Sequence, residues 1–135
     1  MNRDILFRAK RKDNGQWVYG YLVIQPNGTF IIPKTEKEEL PDFIEVIPET
    51  VGMSTTINDS SNPSKEIYED DVLEYEAYLP YSKYKMTLRK IVKWECRDVD
   101  EFGQPQVVGF YNVDSSKRVI GNIHDNPALA AQKNA

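Results

Sequence analysis

Turn signals interrupt this chain at short intervals, and that spacing confines it to short extended segments. Asp13-Asn14-Gly15 and Pro26-Asn27-Gly28 are the clearest, because Asn and Gly tolerate positive φ. Between them Trp17, Tyr19, Tyr21 and Val23 alternate with Val18, Gly20, Leu22 and Ile24. Side chains of a strand alternate between its faces, so residues 16–24 read as a strand with two largely apolar faces. Such a strand is central in a sheet, or it presents its aromatic face to a partner. Gly20 in mid-strand marks a bulge or a close backbone approach.

The same reading runs along the rest of the chain. Ile5, Phe7 and Ala9 alternate with Leu6, Arg8 and Lys10 in a first strand. Residues 29–32 complete a hairpin with 16–24. Residues 34–41 are polar and acidic, a loop or a short exposed helix. Residues 43–47 form another short strand, which 50–53 continue. Residues 58–65, rich in Ser, Asn, Asp and Pro, read as a surface loop.

Ile67 and Tyr68 pack, Glu69-Asp70-Asp71 turn, and Val72, Leu73 and Tyr75 open a strand. Residues 78–84 connect it to the longest strand expected, 85–95, where Lys90 breaks the apolar phase at a bulge. Residues 98–105 form a polar turn. Strands at 107–113 and 118–123 are joined through Asp114-Ser115-Ser116. Asp125 or Asn126 then caps a short helix that begins at Pro127.

Many short strands and one short helix give a mainly β fold. The expected form is a small barrel-like or sandwich arrangement of short antiparallel strands with a short C-terminal helix. With 135 residues the chain is expected to form a single domain over residues 1–135. The lone Cys96 excludes an internal disulfide and fits the reducing cytoplasm. The N-terminus lacks the long apolar region of a secretory signal, and no apolar run suits a bilayer span, so no membrane partner is expected.

Net charge is −4, which weighs against a protein that coats DNA. Its distribution is uneven. Arg3, Arg8, Lys10, Arg11 and Lys12 cluster near the start, and Lys83, Lys85, Arg89, Lys90 and Lys93 form a second basic group. Acidic residues gather at 36–49 and again at 66–76. Polarised charge of this kind favours head-to-tail association between copies, although solvated mixed faces are the better explanation.

Groups able to carry chemistry are few. Glu66, Glu69, Asp70 and Asp71 offer oxygen ligands for a hard cation, but lack the spacing of a calcium loop; a turn with Asp71 bonding backbone amides explains them better. His124 is the sole histidine and reads as a packing residue at the helix entry. Cys96 reads as a passive thiol. No Gly-rich phosphate loop occurs. The expectation is therefore no catalytic residue, no metal site and no cofactor. Trp17, Tyr19 and Tyr21, with Lys83, Lys85 and Arg89, are the candidate interaction surface. Aromatic rings beside cations suit single-stranded nucleic acid, and the same residues suit a protein contact.

Three segments carry a resemblance. Ile5-Leu6-Phe7-Arg8-Ala9 followed by Trp17-Val18-Tyr19-Gly20, then Ile67-Tyr68-Glu69-Asp70-Asp71-Val72, then Val119-Ile120-Gly121-Asn122-Ile123-His124-Asp125-Asn126-Pro127 stand in the order of similar stretches in the YopX family of phage and prophage proteins. The motif positions are Ile67, Tyr68, Glu69, Asp71, Gly121, Asn122, Asn126 and Pro127. Asp70 departs from the pattern, standing where Gly is usual; Asp tolerates positive φ better than most residues but less well than Gly. The resemblance implies a phage or prophage gene in a bacterium, a β-rich fold with barrel-like parts, and self-association. It implies no reaction. The expected partners are a second copy, an unidentified host or phage protein, or nucleic acid.

Overall fold

The computed structural model describes residues 5–34, 42–62, 65–99, 101–103, 105–110, 113–114 and 116–131, side chains excepted at 96–99, 105–108 and 130–131. The fold is mainly β with antiparallel pairing and one short C-terminal helix, as the turn spacing predicts. The chain divides into two compact units, Met1–Ser54 and Thr55–Ala135.

In the first unit the strands are β1 (Phe7–Lys10), β2 (Trp17–Gln25), β3 (Gly28–Pro33) and β4 (Ile44–Glu45), joined by the start of β5 (Gly52–Asn58). Their order is β4-β3-β2-β1-β5, so β2 is central. The turn between β1 and β2 closes as its residues dictate. Gly15 sits at φ +72°, and the Gln16 amide donates to Asn14 Oδ1 at 2.9 Å. Alternation then sorts β2: Val18 and Leu22 pack against the buried trio Ala9, Ile31 and Val46. Their odd-numbered neighbours Tyr19 and Tyr21 stay open, 47% and 38% exposed.

Gly20 is a close approach and not a bulge. Its register with Pro33 is unbroken, and a Cβ there would drive into the Ile32 carbonyl. The expected continuation of the 43–47 strand through 50–53 is replaced. Pro48–Thr50 make a single 3-10 turn, where Thr50 Oγ1 accepts from the Lys10 amide at 2.8 Å. The backbone then pairs Gly52 and Met53 with β1. That strand continues through Ser54-Thr55-Thr56, a polar run with no apolar alternation to announce it. The acidic stretch 35–41, expected as a loop or short helix, lies outside the described residues.

From Thr55 onward β5 lies beside β6 (Glu66–Tyr68). The second unit also holds β7 (Asp71–Tyr78), β8 (Lys85–Ile91), β9 (Trp94–Val99), β10 (Pro105–Phe110), β11 (Arg118–Asn122) and α1 (Pro127–Ala131). One sheet runs β11-β7-β8; a hairpin pairs β9 with β10. Ile67, Leu73, Val92 and Val113 form the buried core, flanked by Ile57, Phe110 and Val119.

The long strand expected at 85–95 is two strands. Its break falls at Val92-Lys93, where the Val92 amide donates to the Asp71 carbonyl at 2.9 Å and its carbonyl accepts from the Asp70 amide at 2.9 Å. Lys90 needs no bulge: β8 keeps register throughout, and the Lys90 ammonium meets Glu95 at 3.7 Å. The irregularity lies in β11, between Val119 and Gly121. A Cβ at Gly121 would stand 2.5 Å from Asn126 Oδ1 and 2.9 Å from Leu129, so both side chains would have to move aside.

Gly20→Ala is expected to destabilise the protein by about 1–3 kcal/mol, because the added methyl meets backbone that cannot rotate away. Chemical denaturation checks this; an unchanged midpoint would mean β3 can shift without loss.

Candidate functional site

The second and third family-like segments meet in space. Asn122 pairs with Asp71, and Gly121 with Val72, across β11 and β7. At the turn entering β7, Asp71 is buried and its Oδ2 accepts from the Tyr68 amide at 2.8 Å, the backbone bond expected of it. Asp70 has φ +71°, so the position does need the left-handed setting that Gly adopts most easily. The Asp70 carbonyl accepts from the Ile123 amide at 3.0 Å.

The Asp70 side chain then does what Gly cannot. Its Oδ1 accepts from the Lys93 ammonium, and its Oδ2 lies 2.9 Å from His124 Nε2. Burial disfavours the charged carboxylate, yet the bonds from Lys93 and His124 outweigh it and hold the group below the ordinary Asp range. Asn122 completes the junction. Its Oδ1 accepts from the amides of His124 and Asp125, and its Nδ2 donates to Asp125 at 3.1 Å. The sequence reading paired His124 with no partner. Asp70 lies 54 residues away, and no local pattern links the two.

Of the four carboxylates of 66–71, Asp70 and Asp71 therefore engage different partners. Among the described residues no group of three or more His, Cys, Asp or Glu side chains is placed to hold a metal ion. The Cys96 side chain lies outside the described residues.

A second polar centre anchors residues 59–62, in the surface loop that the composition of 58–65 predicts. Buried Asp59 accepts from the Ser61 amide and hydroxyl, from the Asn62 amide, and from the Val119 amide at 2.6 Å. Burial opposes its charge, and these donors still hold it below the ordinary range. Beside it lies an open cleft of about 430 Å³, lined by Ser60, Glu74, Tyr75, Lys117 and Arg118 among others. Within it Glu74 takes Arg118 and, at 3.4 Å, Arg89, while the Lys117 ammonium sits 4.8 Å from the Tyr75 ring centre and 2.8 Å from Asp114. Lys117 and the neighbouring Ser116 donors lower Asp114 to about 2.

The expected interaction surface divides between the two units. In the first, Trp17, Tyr19 and Tyr21 share one face of β2. The Arg8 guanidinium lies 4.6 Å from the Trp17 ring centre and the Lys10 ammonium 5.5 Å. Arg8 and Lys10 belong to this face, a membership their alternation with Phe7 and Ala9 already encodes. In the second, Lys83 and Lys85 lie at the β7–β8 hairpin and Arg89 further along β8. Lys85 faces Glu76 at 3.6 Å and Arg89 faces Glu74. The hairpin exposes Tyr78, Tyr81, Tyr84 and Met86, with Tyr81 at φ +58° and fully exposed. Among the described residues no helix is long and apolar enough to cross a membrane.

Asp70→Asn keeps a side chain that tolerates positive φ but removes the charge, and is expected to cost about 1–3 kcal/mol at neutral pH. The folded state binds its proton less tightly than the unfolded chain. The stabilisation is thus complete above the unfolded Asp range, near pH 4, and is lost as pH falls through the lower folded value. Melting curves from neutral to strongly acid pH should show the gap between variant and native protein closing. A gap of constant size would assign the effect to shape and not to charge.

No curated protein and no solved structure is similar enough to this chain to count as a match. A family model described as YopX protein matches residues 6–131. The match takes in the aromatic strand, the two-aspartate turn and the closing Gly-Asn segment that the fold joins, and the chain belongs to the YopX family.

Proposed function

We propose that this chain is a non-enzymatic binding or assembly module, encoded by a phage or prophage and self-associating in the cytoplasm of a bacterial host. One observation carries the reading: large aromatic side chains stand open on a central strand of one unit and along a strand hairpin of the other. Tyr19 and Tyr21 do so on the central strand of the first unit, and Tyr78, Tyr81 and Tyr84 on a hairpin of the second. Aromatic rings bring a large apolar area with few rotatable bonds, which makes such positions effective contacts. The charged groups of the second unit support it too, since Asp70, Asp59 and Glu74 bond to elements of the fold itself. The lone Cys96 suits a reducing compartment.

The molar mass in solution tests this, by size exclusion with light scattering at low and moderate salt. A stable multimer is expected; a strict monomer at high concentration removes self-association.

The hairpin favours a second reading, a nucleic-acid contact. Between Glu76 and Glu95 the chain has no carboxylate, while Lys83, Lys85, Arg89, Lys90 and Lys93 fall there with the three exposed tyrosines. Rings that stack on bases and cations that meet phosphates are the means of single-strand binding. Fluorescence anisotropy with a labelled single-stranded oligonucleotide should show binding that weakens with salt, with a slope of roughly −0.7 per phosphate neutralised. Tyr81→Ala and Lys83→Ala should each weaken it, and no binding at low salt would remove this reading.

A further inference from the structure

In the sheet β11-β7-β8, strand β8 has a neighbour on one side only among the described strands. The direction of its backbone groups can be read in atomic detail. The Leu79 amide donates to the Tyr84 carbonyl and the Val92 amide to the Asp71 carbonyl, and register is unbroken between them. Hydrogen-bonded pairs alternate in an antiparallel ladder, so they fall at Ala77 with Met86, Tyr75 with Leu88, and Leu73 with Lys90. The backbone N–H and C=O groups of Lys85, Thr87, Arg89 and Ile91 therefore face away from β7.

Edges of this kind are ordinarily blunted by proline, bulges, shortness or charge. Strand β8 has 7 residues, with no proline, glycine or bulge. Its three cations would guard it, but each faces a carboxylate of its own chain: Lys85 with Glu76, Arg89 with Glu74, and Lys90 with Glu95.

We propose that β8 pairs antiparallel with β8 of a second copy, about a two-fold axis through Leu88. This rests on the self-association reading and names its contact. The outward groups must meet outward groups, which restricts the registers to steps of two. With the axis at Leu88, Thr87 faces Arg89 of the second copy, Met86 faces Lys90, Lys85 faces Ile91, and Leu88 faces itself. No cation stands directly across from a cation. Moving the axis to Thr87 sets Lys85 against Arg89, to Arg89 sets Arg89 against itself, and to Lys90 sets Lys90 against itself; moving it to Met86 opposes no cations but pairs only residues 85–87 of the strand, where the Leu88 axis pairs 85–91. Like charges directly opposite are destabilising in a sheet, so charge together with the length of strand paired selects the Leu88 register. The contact is isologous and closes at two copies, extending one sheet across both.

Three variants in a Cys96→Ser background test the contact. Leu88→Cys should cross-link two copies on mild oxidation, because that residue faces itself in a non-hydrogen-bonded pair, where side chains stand closest. Lys90→Cys should not cross-link, since it faces Met86. Thr87→Pro removes an outward donor and leaves the β7 ladder intact, and should raise the dissociation constant roughly tenfold or more at unchanged secondary structure. Native protein that is monomeric by light scattering overturns the self-association reading itself. A multimer whose Leu88→Cys form does not cross-link overturns the β8 contact while leaving self-association standing. Should Thr87→Pro not fold, the cysteine pair decides alone.

Discussion

The second unit depends on a reversal made by two adjacent aspartates. Asp71 closes the turn by taking the Tyr68 amide, and its carbonyl receives the Val92 amide. The backbone of Asp70 donates to Val92 and accepts from Ile123. One end of each neighbouring strand, β8 at Val92 and β11 at Ile123, is therefore fixed on these two residues. The Asp70 side chain repeats the arrangement one layer out, joining Lys93 after β8 to His124 after β11. Backbone and side chain thus secure the same junction, and the hydrophobic residues Ile67, Leu73 and Val92 pack directly behind it. An aspartate at a left-handed position gives up the conformational ease of glycine, and here it gains two charge-assisted bonds that glycine could not make.

Local chemistry made most of the strands readable. The turn at Asp13-Asn14-Gly15, the hairpin at Pro26-Asn27-Gly28, the strand from Asp71 and the helix from Pro127 all follow from residues within a few positions of one another. The misses have a common physical cause. The polar strand Ser54-Thr55-Thr56 is held by what it pairs with: Thr55 is buried because its hydroxyl donates to the Ile67 carbonyl at 2.7 Å. The break at Val92-Lys93 is imposed by the turn it meets, and not by a breaker residue in the strand. A pattern of hydrophobicity cannot report an interaction with a segment far along the chain.

The polar sites were less legible for the same reason. Asp59 and Val119 are 60 residues apart, Asp70 and His124 are 54 apart, and Glu74 and Arg118 are 44 apart. Each member, viewed alone, resembles an ordinary surface residue. Asp71 was readable because its partner, Tyr68, is only 3 positions away. Surface faces behaved differently. Trp17, Tyr19 and Tyr21 could be placed on one face by alternation alone, and extending the same count to β1 adds Arg8 and Lys10 to it.

Charge in this chain is largely spent inside each unit, and that decides what its surface can offer. Lys85, Arg89, Lys90, Lys93, Lys117 and Arg118 all meet carboxylates of the same unit. A cation so paired still contributes to long-range attraction, but it resists a wrong neighbour less than a bare one would, because its field is partly cancelled at close range. The consequence falls on the edge of β8. Backbone groups there point outward beside neutralised side chains, and the residual pattern of charge distinguishes registers more than it prevents contact. Recognition in such a surface is carried by backbone direction and exposed rings, with charge selecting among the alignments those features permit.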